Sequence, residues 1–581
     1  MGHDYSKYSR EQLTAHIAEL EKQLKSQKYG LYWDKSIEQE EVVQKCIDNI
    51  PILIREDKKT IFTDGLNNNI LIEGDNFHAL TSLKMLAGNK GIVDMIYIDP
   101  PYNTGHEDFA YNDKYVGEDD GFYHSKWLSF MEKRLILAKS LLKNTGCIFI
   151  SIDDNEQANL KLLCDKIFGS NNFVNNFIVT SAPAGTQSSV DVAIQHSYCL
   201  CYKKPQCKLN TLITSEEELD NKYDCEDENG KYYTERIWKR GVGGRKEDVP
   251  SLHFPVYFDE KNNIIYIDED VKKAPNKNEL IKIIPYQTKG VLGRWTWSRE
   301  KMHSDYNLLT VKKTSGEYKL FKKMYKSEDK GKKPFSIIGS DIGRTELGSL
   351  ELKDILNKKT FSYPKPNELI KYFVQIGCPN NGIVLDFFAG SGTTGQSVME
   401  LNDNKTNRRF ILCTNNENNI CEEVTYNRLK TIITGKRIDK TKYSDGIPNN
   451  LIYYKTSFIK NSPNSDQAKY SLVEKTNELL CIKENIFELD KENSNNVYYH
   501  YLSECDNKHL FIYTDIYDKE MFNRFVKLIN STKGNKIVYI YSNDNLVDEN
   551  RTKDIKALIK PIPSKIYEIY KEIVEGIKED L

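Results

Sequence analysis

The chain has 581 residues, 39% hydrophobic and 29% charged, with a formal net charge of −2. That length corresponds to roughly three or four domains with sizeable cores. No apolar run approaches the roughly 18–20 residues that cross a bilayer, which excludes a membrane protein, and near-neutrality argues against a nucleic-acid partner unless the charge is unevenly distributed.

In chain order, Ser9-Arg10-Glu11-Gln12 reads as a capping box, with Tyr8 and Leu13 placed as its hydrophobic staple. Leu13, Ile17, Leu20 and Leu24 continue as a coiled-coil-like stripe within residues 1–34, suited to dimerisation or to packing on the chain's own core. The opening MGHDYSKYSREQ lacks the apolar core of a secretory signal. Residues 35–204 alternate short apolar runs with helical stretches. Asn69–Glu73, Ile92–Ile98, Cys147–Ile152 and Ile194–Tyr202 read as strands and His124–Lys143 as a helix. Strand–helix–strand alternation predicts a parallel α/β sheet covered on both faces.

Residues 205–360 read as irregular, rich in Lys, Asn and Tyr, with Trp238, Trp295 and Trp297. The window 231–335 holds 24 Lys and Arg against 14 Asp and Glu, a net of +10 that leaves −12 elsewhere. The middle of the chain is therefore basic, an electrostatic footprint suited to phosphates or else a solvated surface. The α/β pattern resumes at 361–454, with a helix over Asn367–Gln375 and strands at Ile383–Phe387 and Arg409–Thr414. Residues 455–581 suggest a small mixed α/β unit with strands at His509–Thr514 and Lys536–Tyr541. Twelve cysteines run from Cys46 to Cys505 without a C-x-x-C pair. They read as reduced thiols of a cytoplasmic protein, with neither a zinc ribbon nor a disulfide scaffold.

Two motifs carry chemistry. Asp99-Pro100-Pro101-Tyr102 directly follows a predicted strand, where α/β sheets place their sites. Two prolines supply no N–H and restrict φ, so the turn presents a carboxylate and carbonyls as acceptors beside an aromatic plane. Such a cluster suits an exocyclic amine on a stacked base; the plain alternative is a Pro-Pro turn with a capping Asp. The second motif begins at Asp386 and runs through Phe388, Gly390, Gly392, Thr393 and Gly395, satisfying G-x-G-x-x-G. Glu417 follows the next strand at the position of a ribose-binding carboxylate. Glycines admit a ligand close to the backbone and the helix N-terminus offers free N–H groups. The absence of G-K-[ST] removes a phosphate loop, and NAD, FAD and S-adenosylmethionine stay open on this motif alone.

The pair, Asp-Pro-Pro-Tyr with Asp-x-Phe-x-Gly-x-Gly, resembles the DNA amino-methyltransferases, which methylate adenine N6 or cytosine N4 from S-adenosylmethionine. Asp in the first position leans toward adenine. The catalytic motif precedes the cofactor motif, with the basic region between them, which resembles the permuted beta class. LIEGDNFHAL (71–80), DPPYNTG (99–105), QHSYCLCYK (195–203), YPKPNELI (363–370), KYGLYWD (28–34) and RIWKRG (236–241) look like the modification subunits of type III restriction–modification systems. The resemblance covers roughly 28–435. It implies a Rossmann-like, permuted methyltransferase sheet formed by 35–204 and 361–454, a target-recognition domain at 205–360 and a C-terminal partner or dimer element.

Carried over residue by residue, the resemblance gives Asp99, Pro100, Pro101 and Tyr102 as the catalytic group. Asp75 would meet the cofactor's adenine, Phe388, Gly390 and Gly392 its methionine end, and Glu417 its ribose. Lys365-Pro366 would open the segment that closes over the methionine moiety. Asp386 and Thr393 complete the expected cofactor group. The departure is Thr414-Asn415-Asn416-Glu417, which sets the ribose carboxylate a few residues beyond its strand. Arg236, Lys239, Arg240, Arg245, Arg294 and Arg299 are the candidate DNA contacts, Arg being able to read guanine or hold phosphate. His196 and Tyr198 fall near the pocket, and Asp153-Asp154 reads as a helix cap rather than a metal site. No metal is expected. The implied partners are double-stranded DNA, a second copy of the chain and a helicase–endonuclease restriction subunit. Alternatives are a DNA-recognition scaffold with secondary or lost methyl transfer, a cytosine-N4 enzyme, and an NAD oxidoreductase that would leave Asp99–Tyr102 unexplained.

Overall fold

The computed structural model of the protein describes residues 40–579 except 64–67, 88–89, 106–107, 113, 118, 186–190, 213–215, 275–276, 286–290, 404, 462–471, 473–474, 504–506, 515–517, 542–551 and 563–564; before residue 40 it describes 9–10, 13–14, 16–17 and 33. In the N-terminal segment the Leu13 N–H donates to the Ser9 carbonyl at 2.9 Å. Tyr8, Glu11, Gln12, Leu20 and Leu24 of the expected helix, and all of KYGLYWD but Trp33, lie outside the described residues. The chain forms two compact units, Met1–Asn210 with Pro334–Leu581, and Thr211–Lys333.

The first unit carries a ten-stranded sheet. Its strands are β1 (Asn49–Arg55), β2 (Asn68–Glu73), β3 (Val93–Ile98), β4 (Leu142–Ile152), β5 (Phe173–Thr180), β6 (His196–Lys203), β7 (Ile337–Ile338), β8 (Ile383–Asp386), β9 (Arg409–Thr414) and β10 (Asn450–Lys460). They lie in the order β1-β10-β2-β9-β8-β3-β4-β6-β5-β7. The run from β10 to β4 is parallel throughout. β1, β6 and β5 add antiparallel pairings at the flanks. All of β3 is buried, as a strand covered on both faces requires.

The helices that matter for the site are α1 (Asn76–Ala87), α2 (Tyr123–Leu141), α3 (Gln157–Phe168), α4 (Thr345–Leu356), α5 (Asn367–Gly377), α6 (Thr393–Glu400) and α7 (Asn427–Thr434). From β3 the chain passes through α2 to β4 on one side; from β8 it passes through α6 to β9 on the other. Strand order therefore reverses between β3 and β8, which pair directly with Leu385 opposite Ile96. Their carboxyl ends emerge side by side and open the crevice where open α/β sheets bind ligands.

Two stretches differ from the sequence reading. Residues 337–338 add β7 to the main sheet beside β5, with Ile338 buried and Ile337 exposed, and α4 belongs to this same unit. β10 runs through residue 455 because Leu451–Tyr454 are buried and pair with β2, while Tyr454–Lys460 pair with β1 on the other side. Beyond it, strands Tyr498–Ser503, Lys508–Tyr513, Asn535–Tyr541 and Leu558–Ile562 form most of a five-stranded sheet. One face packs Phe511, Val538 and Ile540 against Phe522, Phe525 and Ile529 of the helix Lys519–Ser531. The other face, with Leu510, Ile512 and Tyr539, joins the main core.

The second unit is β-rich rather than irregular. Leu309–Thr314, Glu317–Tyr325, Gly230–Arg236 and Cys225–Asp227 form one antiparallel sheet, and Ile264–Ile267, Val256–Asp259 and Ile281–Ile283 another. Trp238 and Trp295 are buried in its core with Phe254, Val256 and Leu320. Among the described residues no helix is long and apolar enough to cross a membrane. The eleven described cysteines are free thiols, all but Cys225 buried.

Candidate active site

Asp99–Tyr102 leaves the end of β3 as a turn held from behind. The Trp127 indole on α2 donates to the Pro101 carbonyl at 2.8 Å. Asn103 sits buried in the left-handed region (φ 59°) and donates its amide to Glu156 at 2.6 Å. Glu156 also meets His124 Nδ1 at 2.6 Å. Among the described residues the Pro100 carbonyl takes no internal hydrogen bond, so it stays available as an acceptor beside Asp99.

The Tyr102 hydroxyl donates to Asp99 Oδ1 at 2.8 Å. Lys365, on the segment leading into α5, brings Nζ to 2.9 Å from the same oxygen and 2.8 Å from the Tyr102 hydroxyl. Its ammonium also lies 4.9 Å from the Tyr102 ring centroid. Desolvation, then the Asp99 carboxylate, push the Tyr102 phenol well above its ordinary value, so it remains a protonated donor. Lys365 thus reaches the catalytic carboxylate, while its carbonyl accepts from Thr393 Oγ1 at 3.3 Å. Pro366 caps α5 in extended conformation.

The second loop leaves β8 at Asp386. That carboxylate is buried and accepts from the Phe388 N–H at 3.0 Å and the Thr394 hydroxyl at 2.6 Å, so it braces the loop from inside. Burial pushes its pKa up to about 7, helped by the Asp99 charge. Gly390 (φ 47°) and Gly392 (φ 79°) turn the backbone, and a Cβ on Gly390 would come 3.2 Å from the Phe361 ring. Gly395 is needed for packing instead: a Cβ there would lie 2.6 Å from Leu429 and 3.0 Å from Leu412. Phe388 is half-buried, its ring 6.0 Å from Phe130.

Asp75 follows β2 and accepts the Phe77 and His78 N–H groups at the start of α1, with its second oxygen 3.7 Å from buried Arg134. Arg134 also binds Glu40 and Asn76, and Asn76 donates to the Phe387 carbonyl at 3.1 Å. That chain of bonds couples the Asp75 turn to the glycine loop. Glu417 is exposed on a short turn just past β9.

The sequence reading missed two buried arginines. Arg428 on α7 donates to Thr393 Oγ1 at 2.7 Å, Ser391 Oγ at 3.1 Å and Gln396 at 2.8 Å, fixing the glycine loop from behind. Burial lowers its pKa to about 10, which leaves it charged near neutrality. Arg134 does the equivalent work behind Asp75. Both sit on the apolar stripe of their helix, Arg134 between Met131 and Ala138 and Arg428 four residues before Ile432. A charge on a buried stripe was the available signal.

Other expected residues are distributed as follows. His196 Nε2 meets the Tyr198 hydroxyl at 2.8 Å, and Tyr198 donates to Asp154 at 2.9 Å, linking β6 to the end of β4. Asp153 accepts the Asn155 N–H ahead of α3. In the second unit Arg236, Lys239, Arg240 and Arg245 are exposed. Arg294 instead donates to the Gly243 carbonyl at 2.6 Å, and Arg299 to Asp268 at 2.5 Å, so both brace their own unit.

The donor set fits S-adenosylmethionine: positive-φ glycines open a cradle, the half-buried Phe388 offers a ring, and α6 presents its N-terminal N–H groups to a carboxylate. A parallel sheet that reverses at this loop, beside an acceptor-only Pro-Pro turn, defines an S-adenosylmethionine-dependent methyltransferase. More narrowly, the chain belongs to the N6_N4_Mtase family, DNA methylase, which matches residues 93–426. The type III restriction-modification enzyme EcoPI Mod subunit of Escherichia phage P1 is 34% identical over 440 residues, covering 70% of this chain and 66% of that one. The EcoP15I Mod subunit of Escherichia coli is 31% identical over 451 residues, covering 70% and 67%. The type II methyltransferase M.KpnI of Klebsiella pneumoniae is 32% identical over 390 residues, covering 66% and 89%. The chain thus spans about two thirds of the length of the two Mod subunits. Among solved structures, the M1.HpyAVI–SAM complex aligns at a TM-score of 0.28 and 14% identity, covering 62% of this chain and 98% of that one. The fold assignment rests on the strand order.

Proposed function

We propose that the chain methylates adenine N6 of a base flipped out of duplex DNA, as the modification and recognition subunit of a type III restriction–modification system. The observation that carries this reading is the Asp99–Tyr102 turn standing beside the glycine loop at the reversal of the sheet. Relatives named as Mod subunits support the type III assignment. They also support pairing with a restriction subunit, while the cytoplasmic setting rests on the reading of the cysteines as reduced thiols. A second copy of the chain as partner remains the reading of the N-terminal stripe.

An amine conjugated to a purine is a weak nucleophile because its lone pair is delocalised. The Asp99 carboxylate and Pro100 carbonyl accept its two N–H groups and favour a more tetrahedral nitrogen, while the negative charge of Asp99 offsets the positive charge that develops there. The Tyr102 ring stacks on the base, which must leave the helix to reach this crevice. Lys365 withdraws from Asp99 as the amine arrives. Asp99 and solvent take the proton that the nitrogen loses. Asp75, Phe388, Gly390, Gly392 and Glu417, with Asp386 and Thr393 bracing the loop, hold S-adenosylmethionine, whose sulfonium supplies an electrophilic methyl group.

The test is transfer of labelled methyl groups to plasmid DNA, followed by digestion to nucleosides. Label in N6-methyladenine is expected. Label in N4-methylcytosine would overturn the base assignment, and no label at all would overturn the enzyme.

A further inference from the structure

The second unit carries a short loop, Lys239–Lys246, that its own fold does not explain. The loop is closed at its base by bridges between Trp238 and Trp295 and between Arg245 and Gly293. The Lys239 N–H donates to the Arg294 carbonyl at 3.0 Å and the Lys246 N–H to the Leu292 carbonyl at 2.9 Å. Within it, the Gly244 N–H closes on the Gly241 carbonyl at 3.0 Å, and Arg294 clamps the Gly243 carbonyl. Gly241 and Gly243 both have positive φ, and a Cβ on either would meet nothing within 4 Å. The glycines therefore serve the turn, and the tip stands clear of its surroundings.

At that tip Val242 is 100% exposed. Single exposed apolar residues are common and by themselves mean little. This one differs in its setting: it is the sole large side chain between Gly241 and Gly244, on a turn stiffened from below. Lys239, Arg240 and Arg245 are exposed around it, in a loop, Lys239–Lys246, that carries four cations and no carboxylate. Cations that can sit on phosphates, flanking a rigid apolar tip, match the chemistry of a side chain driven between base steps while the backbone is held on either side.

We propose that Val242 is a wedge that enters the base stack of bound DNA, with Lys239, Arg240 and Arg245 gripping phosphates beside it. The proposal rests on the reading that DNA is the substrate. Unstacking a step weakens the duplex locally, which lowers the cost of extruding a base.

The test compares the full chain with Val242→Thr, Val242→Leu and Arg240→Ala. Val242→Thr keeps the branched shape and exchanges one of the two apolar methyl groups for a hydroxyl at a position too exposed to affect folding. Binding to labelled plasmid fragments is read by anisotropy and methyl transfer to the same DNA is scored beside it. Val242→Thr is expected to weaken binding and raise KM by about tenfold with the salt dependence unchanged, and Val242→Leu to stay near wild type. Arg240→Ala is expected to lower the salt slope by about one unit. Val242→Thr indistinguishable from wild type in binding would overturn the wedge. A wild-type chain that binds DNA through Val242 but transfers no methyl group would instead sink the catalytic reading and leave the wedge supported.

Discussion

Lys365 Nζ lies 2.9 Å from Asp99 Oδ1, in the place where a target amine would offer its hydrogens. The same ammonium sits over the Tyr102 ring that a target base would stack on. Lys365 therefore competes with the substrate for both features and must be displaced. A partly buried pair of this kind is worth about 1 kcal/mol, a factor of about five. Lys365→Met should lower the KM for DNA by about that factor. An unchanged or raised KM, with S-adenosylmethionine affinity intact by equilibrium dialysis, would show that Lys365 does not occupy the amine's place.

Tyr102 divides into a ring and a hydroxyl. The hydroxyl orients Asp99, whereas the ring provides the stacking face, worth roughly 1–3 kcal/mol per base in other nucleic-acid sites. Tyr102→Phe should keep most activity and Tyr102→Ala should raise the KM for DNA roughly tenfold or more, with cofactor affinity nearly unchanged in both. Equal losses in the two variants would assign the role to the hydroxyl.

Arg428 is buried and holds Ser391, Thr393 and Gln396 at once. Removing it strands Glu351, whose carboxylate lies 3.9 Å away, and frees the glycine loop. Arg428→Met should cost roughly 3–5 kcal/mol of stability, measured by urea unfolding, and weaken S-adenosylmethionine binding. Full stability in that variant would mean that the loop is held by its backbone alone.

Asp386 gives a pH dependence whose sign is defined. Burial raises its folded pKa to about 7, so between about pH 4 and pH 7 the folded chain binds a proton that the unfolded chain does not. This group's contribution to stability is therefore present at low pH and lost as pH rises through about 7. Asp386→Asn cannot ionise and can still bond Phe388 and Thr394. Its stability relative to the natural chain should improve on going from pH 5 to pH 8, a trend that denaturant titrations at the two pH values would reveal. A gap that is constant or widens the other way would contradict the buried-acid assignment.

Much of the first unit was legible because its chemistry is local. The run Ile92–Ile98, apolar but for Asp94, reads as a buried strand, and Asp99 and Asp386 each follow such a run at its end. The glycine pattern separated by role once the backbone was seen: Gly390 and Gly392 turn the chain, and Gly395 lets α6 approach Leu412 and Leu429. Lys365 was placed near the cofactor, but its reach to Asp99 depends on how α5 docks, which no local pattern encodes. Arg294 and Arg299, candidate DNA contacts by charge, each also hold a partner within their own unit. Composition records charge and says nothing of partners.

The second unit was illegible for a different reason. Its strands are short and amphipathic through Lys and Tyr stems, as in Lys231–Arg236 and Lys319–Tyr325, so apolar alternation is blurred. The hairpin at Ser315-Gly316, both with positive φ, carries a clear turn signal, as does Asn229-Gly230 at the turn after Asp227. β7, two residues long, offers no periodicity at all.

The central claim is that Asp99 acts on the amine and not on the cofactor. Transfer of labelled methyl groups to DNA by Asp99→Ala, measured alongside S-adenosylmethionine binding, tests it most directly. The account predicts loss of transfer with cofactor affinity close to that of the natural chain. Undiminished transfer, or loss of cofactor binding in step with activity, would contradict it.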